Sequence, residues 1–379
     1  MDFRFTDEQG MLAETAAAFL AEVSDSAATR RAITMPEGFD QSVWQRVVEE
    51  MGWQGIVVPE DQDGLGLGFV ELVVVLEKMG ERLHVSPLYA SAVSTVLLRM
   101  LPATDARDGA LAALATGAVI SLAHSAVKPD WGVDGVAVGA QRDDQGWLLN
   151  GECRFIPVGQ SAAHLLLAAR LDQGDIGIFL VDPATEGLQI SPLPTMDQTR
   201  SMASATLTNV RLSASMCLSQ DAGEALAATL DVARILVAAD QTGGAQACLD
   251  SSVAYVMERV QFGRQIASYQ AIKHKAADMM VKVESARSLL YYAACMADEW
   301  LLGQADSAAL AEAAAMVSAS ASDAYFFCAG TGIQLHGGVG ITEEYDIQLY
   351  FKRARSTESY LGSPAEQRER VAASLLDGD

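Results

Sequence analysis

From residue 218 to its end the chain contains a single proline, Pro364, although the stretch is rich in alanine, leucine and methionine. Because proline breaks helices and alanine favours them, so long a stretch with one proline restricts the fold to long helices. Segments such as Ala308 to Ala321 are typical of helices packed closely in a bundle. The sequence therefore predicts a C-terminal helical domain.

The residues before this stretch show two further patterns. Near the N-terminus apolar residues recur at helical spacing, as from Val70 to Met79. In the middle of the chain, short apolar runs such as Ile176 to Val181 alternate with turn residues, and Asn150-Gly151 predicts a tight turn. We therefore expect an α+β chain with a helical domain, a small antiparallel β domain and a helical bundle, over residues 1–117, 118–217 and 218–379.

Composition argues against several classes of function. The net charge is −23, and because phosphates need a basic face we expect no nucleic-acid partner. The five cysteines are scattered without C-x-x-C spacing, which predicts neither a metal site nor a disulfide framework and favours a reducing, cytoplasmic location. The N-terminus carries acids instead of a basic region before an apolar run, and no apolar stretch is long enough for a membrane span.

Two segments of the helical C-terminal part carry a resemblance to a known family. Residues 259–264 read R-V-Q-F-G-R and are followed by Q-A-I-K-H at 270–274, while residues 334–342 read Q-L-H-G-G-V-G-I-T. With the helical–β–helical order, they resemble the acyl-CoA dehydrogenase superfamily, closest to the branch acting on bulky or steroid-type acyl-CoAs. The resemblance implies an acyl-CoA substrate, FAD as cofactor, electron-transfer flavoprotein as acceptor, and a homo- or hetero-oligomer.

The same resemblance implies which residues bind FAD, some of them contacting the cofactor of a neighbouring subunit. Arg259 can pair with the pyrophosphate through its planar guanidinium, which a lysine cannot reproduce. Gly337 and Gly338 let the backbone approach the cofactor without an intervening side chain. The implied FAD-binding residues are Phe155, Pro157, Arg259, Gln261, Phe262, Gln270, Gln334, Gly337, Gly338 and Ser363.

The central part departs from the family pattern at two places. Where most members carry T-E-P-x-x-G-S-D near the flavin, this chain has residues 123–130, in which His124 is either a replacement donor or an exposed loop histidine. Where they carry Trp-Ile-Thr, it has Phe155-Ile156-Pro157. The aromatic residue is kept, but the threonine hydroxyl that bonds the flavin is lost, and Pro157 has no N–H to offer.

The carboxylate that removes the α-proton is absent from both of its usual positions in the family. The Tyr-Glu-Gly-Thr turn reads Tyr360-Leu361-Gly362-Ser363 here, and leucine cannot take a proton, although its backbone N–H can still polarise the thioester carbonyl. The glutamate that some members place before a helix arginine is replaced in Ala233-Arg234.

Asp240 is the base that we predict instead. It lies seven residues after Ala233, near the same helix face, and resembles a shortened form of the glutamate in an Ala-Ala-Glu segment of the branch for bulky substrates. The resemblance also implies that Asp231, Arg234 and Gly362 bind substrate. Alternatives stay open: Asp240 as a structural partner of Arg234 or Arg259, Glu343 or Glu344 as base, a catalytically silent subunit of a heteromer, or a flavin oxidase or monooxygenase.

Overall fold

The computed structural model describes residues 6–125 and 130–376. Its N-terminal part is helical, and α1 begins with a capping box in which Thr6 and Gln9 bond each other's backbone N–H. The helices of this part are α1 (Asp7–Val23), α2 (Ser26–Ile33), α3 (Gln41–Arg46), α4 (Phe69–Glu81), α5 (Leu88–Met100) and α6 (Asp105–Ala115).

The central part forms a single large sheet. Its strands are β1 (Ile120–Ala123), β2 (Gly139–Asp143), β3 (Gly146–Pro157), β4 (His164–Leu171), β5 (Ile176–Val181), β6 (Leu188–Pro192), β7 (Met202–Leu212) and β8 (Cys217–Ser219). The strand order is β6-β7-β3-β2-β4-β5-β8, with β1 beside β4. Most neighbours are antiparallel as predicted, but β4 pairs in parallel with both β1 and β2, so the sheet is mixed.

The predicted tight turn at Asn150-Gly151 is wrong, because both residues lie inside β3. The turn between β2 and β3 falls instead between Asp143 and Gly146, where the Asp143 carboxylate accepts a hydrogen bond from the Gln145 N–H at 2.9 Å. Gly151, with a φ of 141°, sits where the register between β3 and β7 shifts. Gly151 therefore adopts a positive φ at a β-bulge, and not at the turn of a hairpin.

The last part is helical, as the single proline predicts. It contains α7 (Gly223–Glu258), α8 (Gln270–Leu301), α9 (Ser307–His336), α10 (Ile347–Thr357) and α11 (Pro364–Leu376), with a short hairpin of β9 (Val260–Gln261) and β10 (Arg264–Gln265) between α7 and α8. The predicted class, helical then β then helical, is confirmed. The division into three domains at residues 117 and 217 stays a prediction.

By its contacts the chain falls into two compact units. One unit holds the described residues of 1–31, 69–84 and 234–379, and the other those of 32–68 and 85–233. The first contains the helical core around α7, α8 and α9, in which Tyr325, Cys248 and Cys328 are fully buried. The second contains the sheet, whose buried strands include β1, β4 and β5.

In the first unit α4 and α7 cross at very short range. A Cβ added at Gly80 would overlap the Asp240 carbonyl, and one added at Gly243 would overlap the Glu77 carbonyl. Only glycine permits this approach. Glu77 is buried at the crossing, and its carboxylate accepts hydrogen bonds from Arg287 Nε at 2.8 Å and from the Tyr291 hydroxyl at 2.5 Å.

Candidate active site

The turn at residues 360–363 is held from two sides in the first unit. The Leu361 carbonyl accepts a hydrogen bond from Arg234 Nε on α7 at 2.9 Å and another from Gln367 Nε2 on α11 at 3.0 Å. All three residues are buried. Leu361 has a φ of 63°, in the left-handed region that leucine rarely adopts, so the fold must hold it there.

This conformation leaves one donor available. Among the described residues, the Leu361 N–H has no hydrogen-bond partner, although its neighbours Tyr360 and Gly362 donate to Thr357 and Ser359. A buried N–H is costly to leave unpaired, so its position indicates a partner that comes from outside the chain. A thioester carbonyl oxygen is an acceptor of the right kind.

Gly362, with a φ of 112°, follows Leu361, and a Cβ there would overlap the Gln367 amide nitrogen. The Ser363 hydroxyl donates to the Glu366 carboxylate at 2.8 Å, and the Ser363 N–H donates to the same oxygen at 2.6 Å. Ser363, predicted to bind the cofactor, thus helps to cap α11. These hydrogen bonds also keep the pKa of Glu366 below its usual value.

Asp240 is buried on α7 and forms an ion pair. Its two carboxylate oxygens accept hydrogen bonds from Arg353 on α10, at 2.8 Å from Nη2 and at 3.0 Å from Nε. Both side chains are buried. Neither the pairing with Arg234 nor that with Arg259 predicted Arg353, which lies 113 residues after Asp240 in the chain.

The next residue on α7 also binds this segment. Gln241 Nε2 donates to the Thr357 carbonyl at 3.2 Å, in buried surroundings. Arg234, Asp240 and Gln241 thus connect α7 to α10 and to the turn that follows it.

The other candidate carboxylates lie at the surface. Glu343 and Glu344 are both exposed in the loop before α10. A hydrogen bond from Thr342 lowers the pKa of Glu344. An exposed carboxylate with a lowered pKa is a weak base, so this geometry does not favour Glu344 as proton acceptor.

The hairpin between α7 and α8 presents one group of predicted FAD-binding residues. Arg259, Gln261 and Phe262 are all exposed there. The Phe262 ring is 91% exposed at the hairpin tip, with a φ of 53°. A large aromatic ring in water is unfavourable, so this tip is suited to packing against a ligand or another subunit.

A second group lies along α8 and the end of α9. Gln334 lines an open groove of about 490 Å³ together with Lys275 and Lys282, and its side-chain oxygen accepts a hydrogen bond from Lys275 at 3.0 Å. Gln270 is exposed at the start of α8, and a Cβ added at Gly337 or Gly338 would meet nothing within 4 Å. Gly337 and Gly338 thus leave room for a bound group, and Lys275 and Lys282 supply positive charge in the groove beside Gln334.

The third group belongs to the second unit, at a bulge in β3. Phe155 has a φ of 60° where the β3–β7 register shifts, and its ring lies 5.3 Å from that of Trp131. Pro157, at the end of β3, accepts a hydrogen bond from the Ser121 hydroxyl at 2.6 Å.

Close to this bulge, buried polar atoms lack partners within the described ranges. Arg154 N–H donates to the Ser125 carbonyl at 3.0 Å, but the Ser125 hydroxyl and Arg154 Nε make no hydrogen bond there. His124, the candidate replacement donor, is buried and not exposed. Residues 126–129 of the departing loop lie outside the described residues. Asp231, the remaining predicted substrate residue, is also buried in this unit.

Comparison with known proteins identifies the family. The sequence model for the acyl-CoA dehydrogenase N-terminal domain matches residues 6–117, and that for the C-terminal domain matches residues 222–376. The chain is 34% identical to acyl-CoA dehydrogenase IpdE2 of Mycolicibacterium smegmatis, over 98% of this chain and 100% of that protein. The chain belongs to the acyl-CoA dehydrogenase family.

Solved structures agree with this assignment. Butyryl-CoA dehydrogenase from Megasphaera elsdenii is 26% identical, with a TM-score of 0.88 over 99% of this chain and 100% of that one. A variant of the steroid acyl-CoA dehydrogenase Tcur3481-Tcur3483 is 27% identical, with a TM-score of 0.87 over 98% of each chain. The chain is accordingly an FAD-dependent oxidoreductase of this family.

The residues present fit an FAD cofactor. In the first unit, the exposed Phe262 ring and the open space at Gly337 and Gly338 are features that part of a flavin dinucleotide can fill. In the second unit taken by itself, the Ser125 hydroxyl and Arg154 Nε, which have no partner within the described ranges, can hydrogen-bond a polar ligand. Within the parts of the chain that the structure describes, no helix is both long and apolar enough to cross a bilayer.

Three residues that contribute to the arrangement were not found from the sequence. Arg353 and Gln367 act on α7 and on the 360–363 turn from helices distant in sequence, and Lys275 lies beside Gln334. One pattern in the sequence could have indicated Gln367. It lies five residues after Gly362, in the first turn of the helix that follows the family's 360–363 motif. No pattern pointed to the pairing of Arg353 with Asp240.

Proposed function

We propose that this chain catalyses the α,β-dehydrogenation of an acyl-CoA thioester. In this reaction a carboxylate takes the α-proton, and FAD, when bound, accepts the β-hydride. The observation that carries the proposal is the turn at Leu361, where a strained residue keeps a buried N–H without a partner in the described chain. That N–H would bond the thioester carbonyl, which acidifies the α-proton and stabilises the enolate that develops.

Asp240 is the base in this proposal, and its geometry supports two accounts. It is a buried carboxylate on the helix that also carries Arg234, which favours a role near the reacting carbon. Its two hydrogen bonds to Arg353 favour a structural ion pair instead, because the guanidinium occupies both carboxylate oxygens.

That ion pair favours a second candidate function. If Asp240 is structural and Leu361 replaces the usual glutamate, the chain has no base of its own among the positions considered. It would then act as a non-catalytic subunit beside a homologue that supplies one. The two-part name of the related steroid dehydrogenase, Tcur3481-Tcur3483, is in keeping with such an assembly.

The substrate and partners follow from the resemblance. The relatives include a steroid acyl-CoA dehydrogenase, which supports a bulky, ring-containing acyl group as the substrate class. Electron-transfer flavoprotein is the proposed acceptor. The hairpin that carries Arg259, Gln261 and Phe262, which are predicted to bind FAD, is exposed, and this supports a cofactor site shared between subunits and therefore an oligomer.

The visible spectrum of the purified chain tests this function. We expect flavin absorbance that is bleached under anaerobic conditions by one of a panel of straight-chain, branched and steroid-side-chain acyl-CoAs. A flavoprotein that is bleached only after a homologous partner is added supports the second candidate. Rapid oxygen consumption by the substrate-reduced protein indicates an oxidase or monooxygenase. A chain that cannot be loaded with FAD, either alone or with such a partner, contradicts all three.

A further inference from the structure

The Leu361 turn is clamped by a residue that no part of the proposed reaction uses. Gln367 is 1% exposed and lies on α11, after the turn. Its amide nitrogen donates to the Leu361 carbonyl at 3.0 Å, and its amide oxygen accepts from Arg370 Nη1 at 3.1 Å. Both ends of the amide are thus engaged, which fixes its orientation.

The carbonyl of Leu361 therefore has two donors, Gln367 and Arg234, which approach from α11 and from α7. A carbonyl oxygen has two lone pairs, so this acceptor is saturated. Upstream, the Thr357 carbonyl accepts both the Tyr360 N–H at 3.3 Å and the Gln241 side chain at 3.2 Å. The backbone is thus fixed on both sides of the Leu361 N–H.

The left-handed region is unfavourable for leucine, so without these contacts the Leu361 turn would relax toward ordinary backbone angles. Such a rotation would redirect the N–H. The contact between Gly362 and Gln367 also indicates that the amide is tightly placed, because a side chain at position 362 would displace it. Gln367 thus maintains the direction of the Leu361 N–H, although its own side chain does not contact the thioester.

We infer that Gln367 is a positioning residue for the thioester carbonyl, acting through the Leu361 peptide. This inference rests on the proposed function, because it assigns Gln367 to the same donor N–H. An interaction that strengthens as the carbonyl gains negative charge acts mainly on kcat. Loss of Gln367 should therefore lower kcat while changing KM little.

A chromophoric product-type ligand, cinnamoyl-CoA, reports the donor directly. A hydrogen bond to its thioester carbonyl shifts its absorbance to longer wavelength. The holoenzyme should show this shift. Gln367→Met, which keeps the length of the side chain but removes the donor, should lose most of it and lower kcat about tenfold, with FAD content unchanged. Arg370→Met, which removes the outer partner of the Gln367 amide but leaves the amide N–H donor in place, serves as the matched control and should retain most of the shift.

Gln367→Glu adds a signature that a merely structural role would not produce. A protonated carboxyl can donate to the Leu361 carbonyl, whereas a carboxylate can only repel it. The red shift should therefore be present at acidic pH and decline as pH rises. This variant also replaces Gln367→Met if that protein does not fold.

The outcomes separate the two ideas. A wild-type holoenzyme that leaves the spectrum of cinnamoyl-CoA unshifted contradicts the proposed function. A wild-type shift that persists undiminished in Gln367→Met, and at every pH in Gln367→Glu, overturns the positioning role alone.

Discussion

Arg234 joins α7 to the carbonyl of Leu361 through Nε, an atom that lysine does not have. Arg234→Lys keeps the positive charge but places a single ammonium group at the end of a flexible chain. We expect the rate of flavin reduction by acyl-CoA to fall about tenfold or more, with FAD still bound, as measured by anaerobic stopped-flow absorbance. Normal reduction by the lysine variant would make Arg234 a structural residue only.

Asp240 can be a base or half of an ion pair, and variants at two positions distinguish these roles. In Asp240→Asn we expect reduction of the flavin to fall by at least about a hundredfold if the carboxylate takes the proton. Arg353→Met keeps the carboxylate and should retain reduction in that case. The measurement is again anaerobic flavin bleaching.

If Asp240 is only the structural partner of Arg353, the variants should differ from wild type in stability and not in the proton-transfer step. Removing either partner would leave a buried charge and cost about 3–5 kcal/mol of unfolding free energy. A double variant, Asp240→Leu with Arg353→Met, would then recover stability. Recovery of full reduction in that double variant excludes Asp240 as the base.

Arg259 is exposed beside the hairpin and is expected to pair with the FAD pyrophosphate. Arg259→Ala should weaken FAD binding by about 1.5–3 kcal/mol, the contribution of a charge-assisted contact. Titration of the apoprotein with FAD, followed by quenching of flavin fluorescence, measures this. Lys275→Ala is a useful comparison because Lys275 lines the groove beside Gln334. Equal affinity of Arg259→Ala and wild type would remove Arg259 from the site.

At the scale of elements, the crossing of α4 and α7 depends on two glycines. Gly243→Ala would drive a methyl group into the Glu77 carbonyl and push the helices apart, at a cost of about 1–3 kcal/mol. Gly109→Ala, exposed on α6 with no atom within 4 Å of the added methyl, should instead stabilise by about 0.5–1 kcal/mol. Urea unfolding of both variants tests the contrast, and a Gly243→Ala protein as stable as wild type contradicts it.

The sequence predicted the elements better than their contacts. The helical ends and the central β region follow from proline distribution and periodicity, which are local properties. The parallel pairing of β4 with β1 and β2 depends on long-range order, and Gly151 has the same local freedom in a bulge as in a turn. The ion pair of Asp240 with Arg353 was not predictable, because no spacing rule relates α7 to α10.

At the scale of the whole molecule, His84 links stability to pH. It is buried beside α4, bonded to the Ser24 hydroxyl at 3.2 Å, and burial together with the positive charge of Arg353 lowers its pKa to about 4. In the unfolded chain His84 is protonated below about pH 6.5, whereas in the folded chain it is protonated only below about pH 4. The unfolded state therefore binds more protons between these values, and the free energy of unfolding falls as pH drops from 6.5 to about 4. The loss should reach about 3 kcal/mol.

The comparison that isolates this effect is His84→Gln. We expect its unfolding free energy, measured in urea at several pH values, to decline less steeply over the same range than that of the wild type. Curves that run parallel from pH 6.5 to 4 would contradict a buried neutral histidine.

The exposed ring of Phe262 has a consequence for how the protein assembles in the cell. A newly made chain carries this ring at the tip of a hairpin before cofactor or neighbour is present, and an aromatic ring in water promotes sticking to any apolar surface. The net charge of −23 opposes such encounters, because copies of the chain repel one another at long range. The proposed oligomer therefore requires a neighbouring surface whose contact with the ring outweighs that repulsion.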